Sequence, residues 1–340
     1  HEDIQGNLYV NASDPVNGID DDGNGFIDDY SGYDFADEDN DPTADGNQHG
    51  THVGGIAAAD TDNGLGIASV GYNAKWSPLK IFTTSLTASA GSYDAVIYAA
   101  DNGYDIINLS WGSTGSFSQF NQDIINYAVL ENDVVVVAAA GNTPNDIAFY
   151  PAAYQNVLSV AASDFEDRKA SFSTFHKTVD LMAPGVGIYS TQNNNTYDTD
   201  NGTSHAAPQV AGVAALIKSK FPDYDAVQIM ERIRATTERV SYSDEAIYQG
   251  KLGTGRLNAY KAVSQSKAYS IRNIDYSFSA NDTGSIYPGD TVDVRLTLVN
   301  YLDPVLLPKF ELSALSDQAV ILGSGRSEEH TSELQSLLII

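Results

Sequence analysis

The sequence predicts an α/β protein: a three-layer α/β/α unit around a mainly parallel central sheet, followed by a shorter all-β, sandwich-like segment. Three observations carry that prediction. Apolar runs alternate with helical patterns over residues 1–265, as βα repeats require. Those runs are continuous, the form of strands buried on both faces. Beyond residue 270 the texture changes to strict alternation between turn signals.

In chain order, "KWSPLKIF" (75–82) and "DIINLS" (105–110) read as strands. Between them "SYDAVIYAADNG" (92–103) sets Tyr93, Val96, Ile97 and Ala100 on one helical face, with Ser92 at the N-cap position and Gly103 beyond the end. That spacing predicts a crossover helix. "DVVVVAAAGN" (133–142) and "NVLSVAA" (156–162) predict two further buried strands, and such sheets hold ligands at their carboxyl ends. "NGTSHAAPQVAGVAALI" (201–217) predicts an Ala-rich buried helix opening at Ser204, with Pro208 accommodated in its first turn. After "GTGRLNAYKAV" (253–263), "YPGD" (287–290) marks a turn and "TVDVRLTLVN" (291–300) a strand.

The expected organisation is a domain over 1–265 and the start of a β-sandwich over 270–324. "RSEEHTSELQS" (326–336) reads as the one-frame translation of a sequencing-library adapter, so 325–340 is expected to be an unstructured artefact. The opening "HEDIQG" lacks Met, and the chain is expected to be a fragment cut at both ends.

Composition narrows the function classes. Eighteen Lys and Arg stand against 45 Asp and Glu, and a formal net charge of −27 argues against nucleic acid or an anionic membrane surface as partner. No stretch is long and apolar enough to span a bilayer. Without cysteine there are neither disulfides nor zinc-thiolate sites. A monomer is expected.

"GNQHGTHVGG" (46–55) places His49 and His52 three residues apart. Metal ligation, proton transfer and simple packing are the three readings. The zincin pattern needs His-Glu-x-x-His, which Gly50 and Thr51 break, so the metal reading is weak. Ser204 is read first as an N-cap, yet it would also sit at the positive end of a buried helix, where developing negative charge is favoured. Asn142 ends a buried strand and offers a side-chain donor at the carboxyl edge.

"HGTHVGG", "AAAGN" and "GTSHAAPQVAG", in this order, resemble the three catalytic blocks of the subtilisin-like serine peptidases (subtilases). The likeness extends through "INLSWG" (107–112), "ASFSTFHKTVDLMAPG" (170–185) and "GRLNAYKAV", covering residues 1–265. It implies a subtilisin-like fold, a serine endopeptidase acting on polypeptides, and secretion. His49 would be the general base, Ser204 the nucleophile, and Asn142 an oxyanion donor with the Ser204 backbone N–H. Ser110, Trp111 and Gly112 would bind substrate backbone, and Ala139, Ala140 and Gly141 would line the primary pocket with them. His52 becomes a packing residue.

Two departures stand out. His205 follows the nucleophile where the family commonly has methionine. "HEDI" resembles an element that in the family follows the catalytic aspartate, so that aspartate is expected upstream of His1, and neither Asp3 nor Asp14 is assigned to the triad. In this order of partners the aspartate must precede His49. The chain as it stands is therefore expected to be nearly inactive, with a pseudoenzyme or peptide-binding module as the alternative.

"DDDGNGFIDD" (20–29) spaces Asp20, Asp22, Asn24, the Phe26 carbonyl and Asp28 like the donors of an EF-hand calcium loop, with Gly25 at the sharp turn. Ser31 replaces the closing glutamate, leaving closure to Asp29 or Asp34. A structural calcium ion and a plain solvated acidic loop are the two readings. A calcium-dependent adhesion protein would account for the loop and sandwich but not for the three blocks.

Overall fold

The computed structural model describes residues 1–44, 46–83, 89–240, 246–280, 287, 290, 292–305, 326–330 and 333–339, the last two segments and Ala280 as backbone. Two units result, His1–Ser264 and Gln265–Ile340.

Among the described residues of the first unit, β1 (Tyr33–Asp34) precedes α1 (His49–Ala58), β2 (Leu79–Lys80), α2 (Ser92–Asp101), β3 (Ile106–Leu109) and β4 (Ser113–Thr114). Helix α3 (Gln119–Asn126) runs on into a π turn (Tyr127–Glu131), then β5 (Val135–Ala139), β6 (Phe149–Tyr150), β7 (Val157–Ser163) and β8 (Leu181–Pro184). The hairpin β9 (Ile188–Gln192) and β10 (Thr196–Asp200) leads into α4 (Thr203–Lys220), α5 (Ala226–Ala235) and α6 (Ala259–Ser264).

The central sheet is parallel, in the order β3-β5-β7-β8. Every residue of β5 and β7 is buried, so both faces of the sheet are covered, as the unbroken apolar runs predict. Helix α4 packs across all four strands and against α1. Its Ala206, Ala207, Val210, Val213, Ala214 and Ile217 have no solvent exposure. Small side chains let the helix lie close to the sheet, which sets the first turn of α4 at the carboxyl ends of the strands.

Several local expectations are corrected. Of the run 75–82, Leu79–Lys80 pair with β1 as a strand, while Trp76 and Phe82 form isolated bridges to Leu8 and Ser89, and Pro78 between them has no N–H to donate. Ser92 is the first residue of α2, not its cap; the N-cap is Gly91, whose φ of 61° suits glycine and whose missing side chain makes room for Phe35. Pro208 lies in the second turn of α4, beyond the reach of the first-turn argument. It leaves the Ser204 carbonyl without its i+4 donor, and the Ser110 hydroxyl fills that vacancy at 2.8 Å. The proline is tolerated because a neighbouring strand supplies the bond.

In the second unit β11 (Ile271–Ala280), β12 (Val292–Asn300), β13 (Arg326–His330) and β14 (Glu333–Ile339) form an antiparallel sheet in the order β11-β12-β14-β13. Residues 325–340 are expected to be unstructured; of these, 326–330 and 333–339 are described as strands, β14 pairing along β12 from Val299↔Glu333 to Asp293↔Ile339. The apolar stretch at 337–339 gives this segment strand character, and β12 offers it an open edge. Residues 306–324, the remainder of the expected sandwich segment, lie outside the described residues.

Candidate active site

Ser204 and Asn142 come together at the carboxyl edge of the sheet through Thr203, and the His49 ring lies 5.8 Å between centroids from that of His205, beside Ser204 in sequence. His49 opens α1, where its backbone N–H donates to the Asn47 side chain at 3.1 Å. Burial pushes its imidazole below the usual histidine range; the Asp200 carboxylate opposes that shift and His52 adds to it. Ser204 sits in the first turn of α4, after the N-cap Gly202. Its hydroxyl does not cap the helix. It donates to the Ser110 carbonyl at 3.2 Å, while the Ser110 hydroxyl bonds the Ser204 carbonyl. Among the described residues Ser204 and His49 share no hydrogen bond.

The Asn142 side chain is fixed by Thr203, a residue that the sequence reading did not single out. The Asn142 Oδ1 accepts from both the backbone N–H and the hydroxyl of Thr203, each at 2.9 Å. The Thr203 hydroxyl also accepts from the Gly141 N–H at 3.1 Å. With its oxygen so occupied, the amide must present Nδ2, its donor, towards the open edge. Gly202 leaves this space clear: a methyl there would come within 3.4 Å of Nδ2.

Ser110, Trp111 and Gly112 continue from β3, and Ala139, Ala140 and Gly141 close β5 and follow it, so the two segments run side by side. The Phe149 ring lies against both glycines. A methyl on Gly112 would approach it to 2.5 Å and one on Gly141, at φ 106°, to 2.8 Å. Trp111 packs edge-on against Tyr93, with ring centroids 5.5 Å apart.

The profile of the Subtilase family matches residues 1–263. The chain belongs to the subtilase family. It is 44% identical over 236 residues to thermitase of Thermoactinomyces vulgaris, covering 68% of this chain and 80% of that protein. The thermophilic serine proteinase of Bacillus sp. (strain AK1) is 42% identical over 234 residues, 68% of this chain, and there the chain spans 56% of the relative's length. A solved protease structure from Pseudoalteromonas arctica PAMC 21717 superposes with a TM-score of 0.57 at 34% identity, covering 64% of this chain and 70% of that one. The subtilisin-like architecture of the first unit follows from these matches.

Within this subtilase two further histidines pack close to His49. His52 is buried, its Nε2 3.3 Å from the Asp198 carbonyl, and His205 is buried edge-on against it, with centroids 4.5 Å apart. Burial, with His52 beside it, pushes His205 down to about 4, so it is neutral at pH 7.

The acidic loop does not gather its predicted donors. Asp20 accepts from the Gly23 and Gly25 amides, Asp22 and Asn24 from the amides two residues on, and Asp28 from those of Asn17 and Gly18. Neither expected closing carboxylate is free: Asp29 is buried and bonded to Tyr98, and Asp34 is paired with Lys80 at 2.5 Å. Phe26 anchors the loop by packing against Tyr33, Phe35 and Tyr98. Among the described residues no three acids or histidines are grouped to hold a metal. The oxygen-only donor set suits calcium chemically, but this arrangement spends it on turn amides. Asp14, fully buried and bonded to the Asp21 and Asp29 amides, holds the turn together.

Proposed function

We propose that this chain is the catalytic part of a secreted, monomeric serine endopeptidase that cleaves polypeptides by nucleophilic attack of Ser204. The observation that carries the reading is that Ser204 adjoins Asn142 through Thr203 at one sheet edge, with the His49 ring 5.8 Å from that of His205, the next residue after Ser204. On substrate binding the Ser204 hydroxyl turns from the Ser110 carbonyl to His49, which takes its proton and returns it to the leaving amine. Asn142 Nδ2 and the Ser204 N–H receive the oxyanion, and the helix terminus adds its positive potential.

His49 has no hydrogen-bonded carboxylate among the described residues. Beside it lies a cavity of about 920 Å³, walled by Val53 and Ala57 of α1, Val96 and Ala99 of α2, and Ile107 and Leu109 of β3. Strand β3 is an edge strand here, although its side chains point into the apolar core. An extended apolar segment laid along that edge fills the cavity. We assign the missing aspartate to this segment, upstream of His1, and the low activity expected of residues 1–340 alone to its absence. That same unpartnered His49 favours a second reading, a peptide-binding module. A fluorophosphonate probe separates the two: covalent labelling of Ser204 in the extended protein supports the endopeptidase, and no labelling supports the binding module.

Structural calcium on the acidic loop belongs to the same proposal, with Asp20 and Asp28 exchanging amide bonds for the ion. The melting midpoint is expected to be several degrees higher in calcium than in chelator, because a ligand that binds only the folded state stabilises it. Equal midpoints remove the site.

A further inference from the structure

Asp200 is the last residue of β10, four residues before the nucleophile. Its two carboxylate oxygens face different ways: Oδ1 accepts from the Asn201 N–H at 2.7 Å, and Oδ2 lies 3.4 Å from His205 Nε2. Among the described residues it is paired with no lysine or arginine. The His205 ring is 2% exposed and its Nδ1 has no partner, so Asp200 is the one polar group shown to hold that ring. On its other side His205 packs against both active-site helix histidines, 4.5 Å from His52 and 5.8 Å from His49 between centroids. Through the shared His205 ring these contacts link a carboxylate to His49.

We propose that Asp200, tethered by the neutral His205, is a second carboxylate of the catalytic centre: a positioning residue that stabilises the imidazolium formed on His49 while Ser204 is acylated. The inference rests on reading His49 as the general base. It assigns His205 a function as well, since a methionine at that position could not hold the carboxylate. Among the described residues, the titratable groups shown to act on His49 or pack against it are His52 on its own helix, His205 on α4 and Asp200 on β10. Of these only Asp200 carries negative charge, and it alone favours the protonated imidazole. With its side chain 55% exposed, Asp200 acts through partly solvent-screened space, so its influence is moderate.

The test is a histidine Cε1–H NMR titration of residues 1–340, with the His49 signal assigned by its loss in His49→Gln. In Asp200→Asn the His49 midpoint is expected to fall by roughly half a unit to one unit, the scale of a screened charge at this range. Asp200→Glu is expected to restore most of it, and high salt to shrink the difference. An unchanged or raised midpoint in Asp200→Asn overturns the proposal. The pH profile of fluorophosphonate labelling in the extended protein is the second readout. Its acid limb should move down with the midpoint, and an unmoved limb overturns the catalytic role. Absence of labelling in the unsubstituted protein instead overturns the endopeptidase reading, and the titration still decides the Asp200 coupling.

Discussion

Ser204→Ala is expected to lower peptide turnover by about 10⁶-fold in the form of the protein that cleaves peptides, and to abolish fluorophosphonate labelling. The size follows from what the side chain does. Without its oxygen there is no acyl-enzyme, and His49 and Asn142 act only on the slow attack of water. The fold should survive, because the Ser204 hydroxyl makes a single bond, to the Ser110 carbonyl, and leaves capping of α4 untouched. Asn142→Ala is expected to cost less, about 10²- to 10³-fold, with subtilisin itself the reference case for that magnitude. It removes one donor to the oxyanion and leaves the nucleophile intact. Steady-state kinetics on both variants, with KM little changed, checks the order: a Ser204→Ala protein that retains turnover near the parent's places the nucleophile elsewhere.

The parts of this site that could be read from the sequence are those set by local pattern. The runs around β5 and β7 are apolar throughout because both faces are covered, and the Ala-rich body of α4 is legible because close packing on a sheet requires small side chains. His49, Ser204 and Asn142 can be named as candidates from sequence because each lies within a short block. Contacts across the fold left no such trace. Thr203 reaches Asn142 from 61 residues away, and the Ser110 hydroxyl that makes Pro208 tolerable bonds a carbonyl 94 residues on. Asp200 precedes the serine block by no recognisable pattern; only folding brings it to His205. In the acidic loop, spacing suggests metal donors, but spacing cannot show that Asp20 and Asp28 accept from backbone amides. At the carboxyl end, the identity of residues 326–336 suggested no structure, whereas pairing depends on the open edge of β12.

The second large effect concerns the carboxylate partner of His49. A histidine without it loses the hydrogen bond that fixes its tautomer and the charge that stabilises its imidazolium, a loss of about 10⁴-fold in turnover. Asp200 softens that loss without replacing the missing partner, because it touches His205 and reaches His49 only through space. The proposed segment along β3 would add a further contribution by filling the cavity beside α1. Supplying the strand should therefore raise both activity and thermal stability, whereas a carboxylate acting by charge alone would raise activity only.

The most direct measurement is peptide turnover by residues 1–340 compared with the same protein extended upstream through the aspartate-bearing strand. Our account predicts turnover higher by about 10⁴-fold in the extended form, with the increase lost when that aspartate becomes asparagine. Equal, full turnover in the two forms would contradict it, showing that His49 works as a base with only the residues described here.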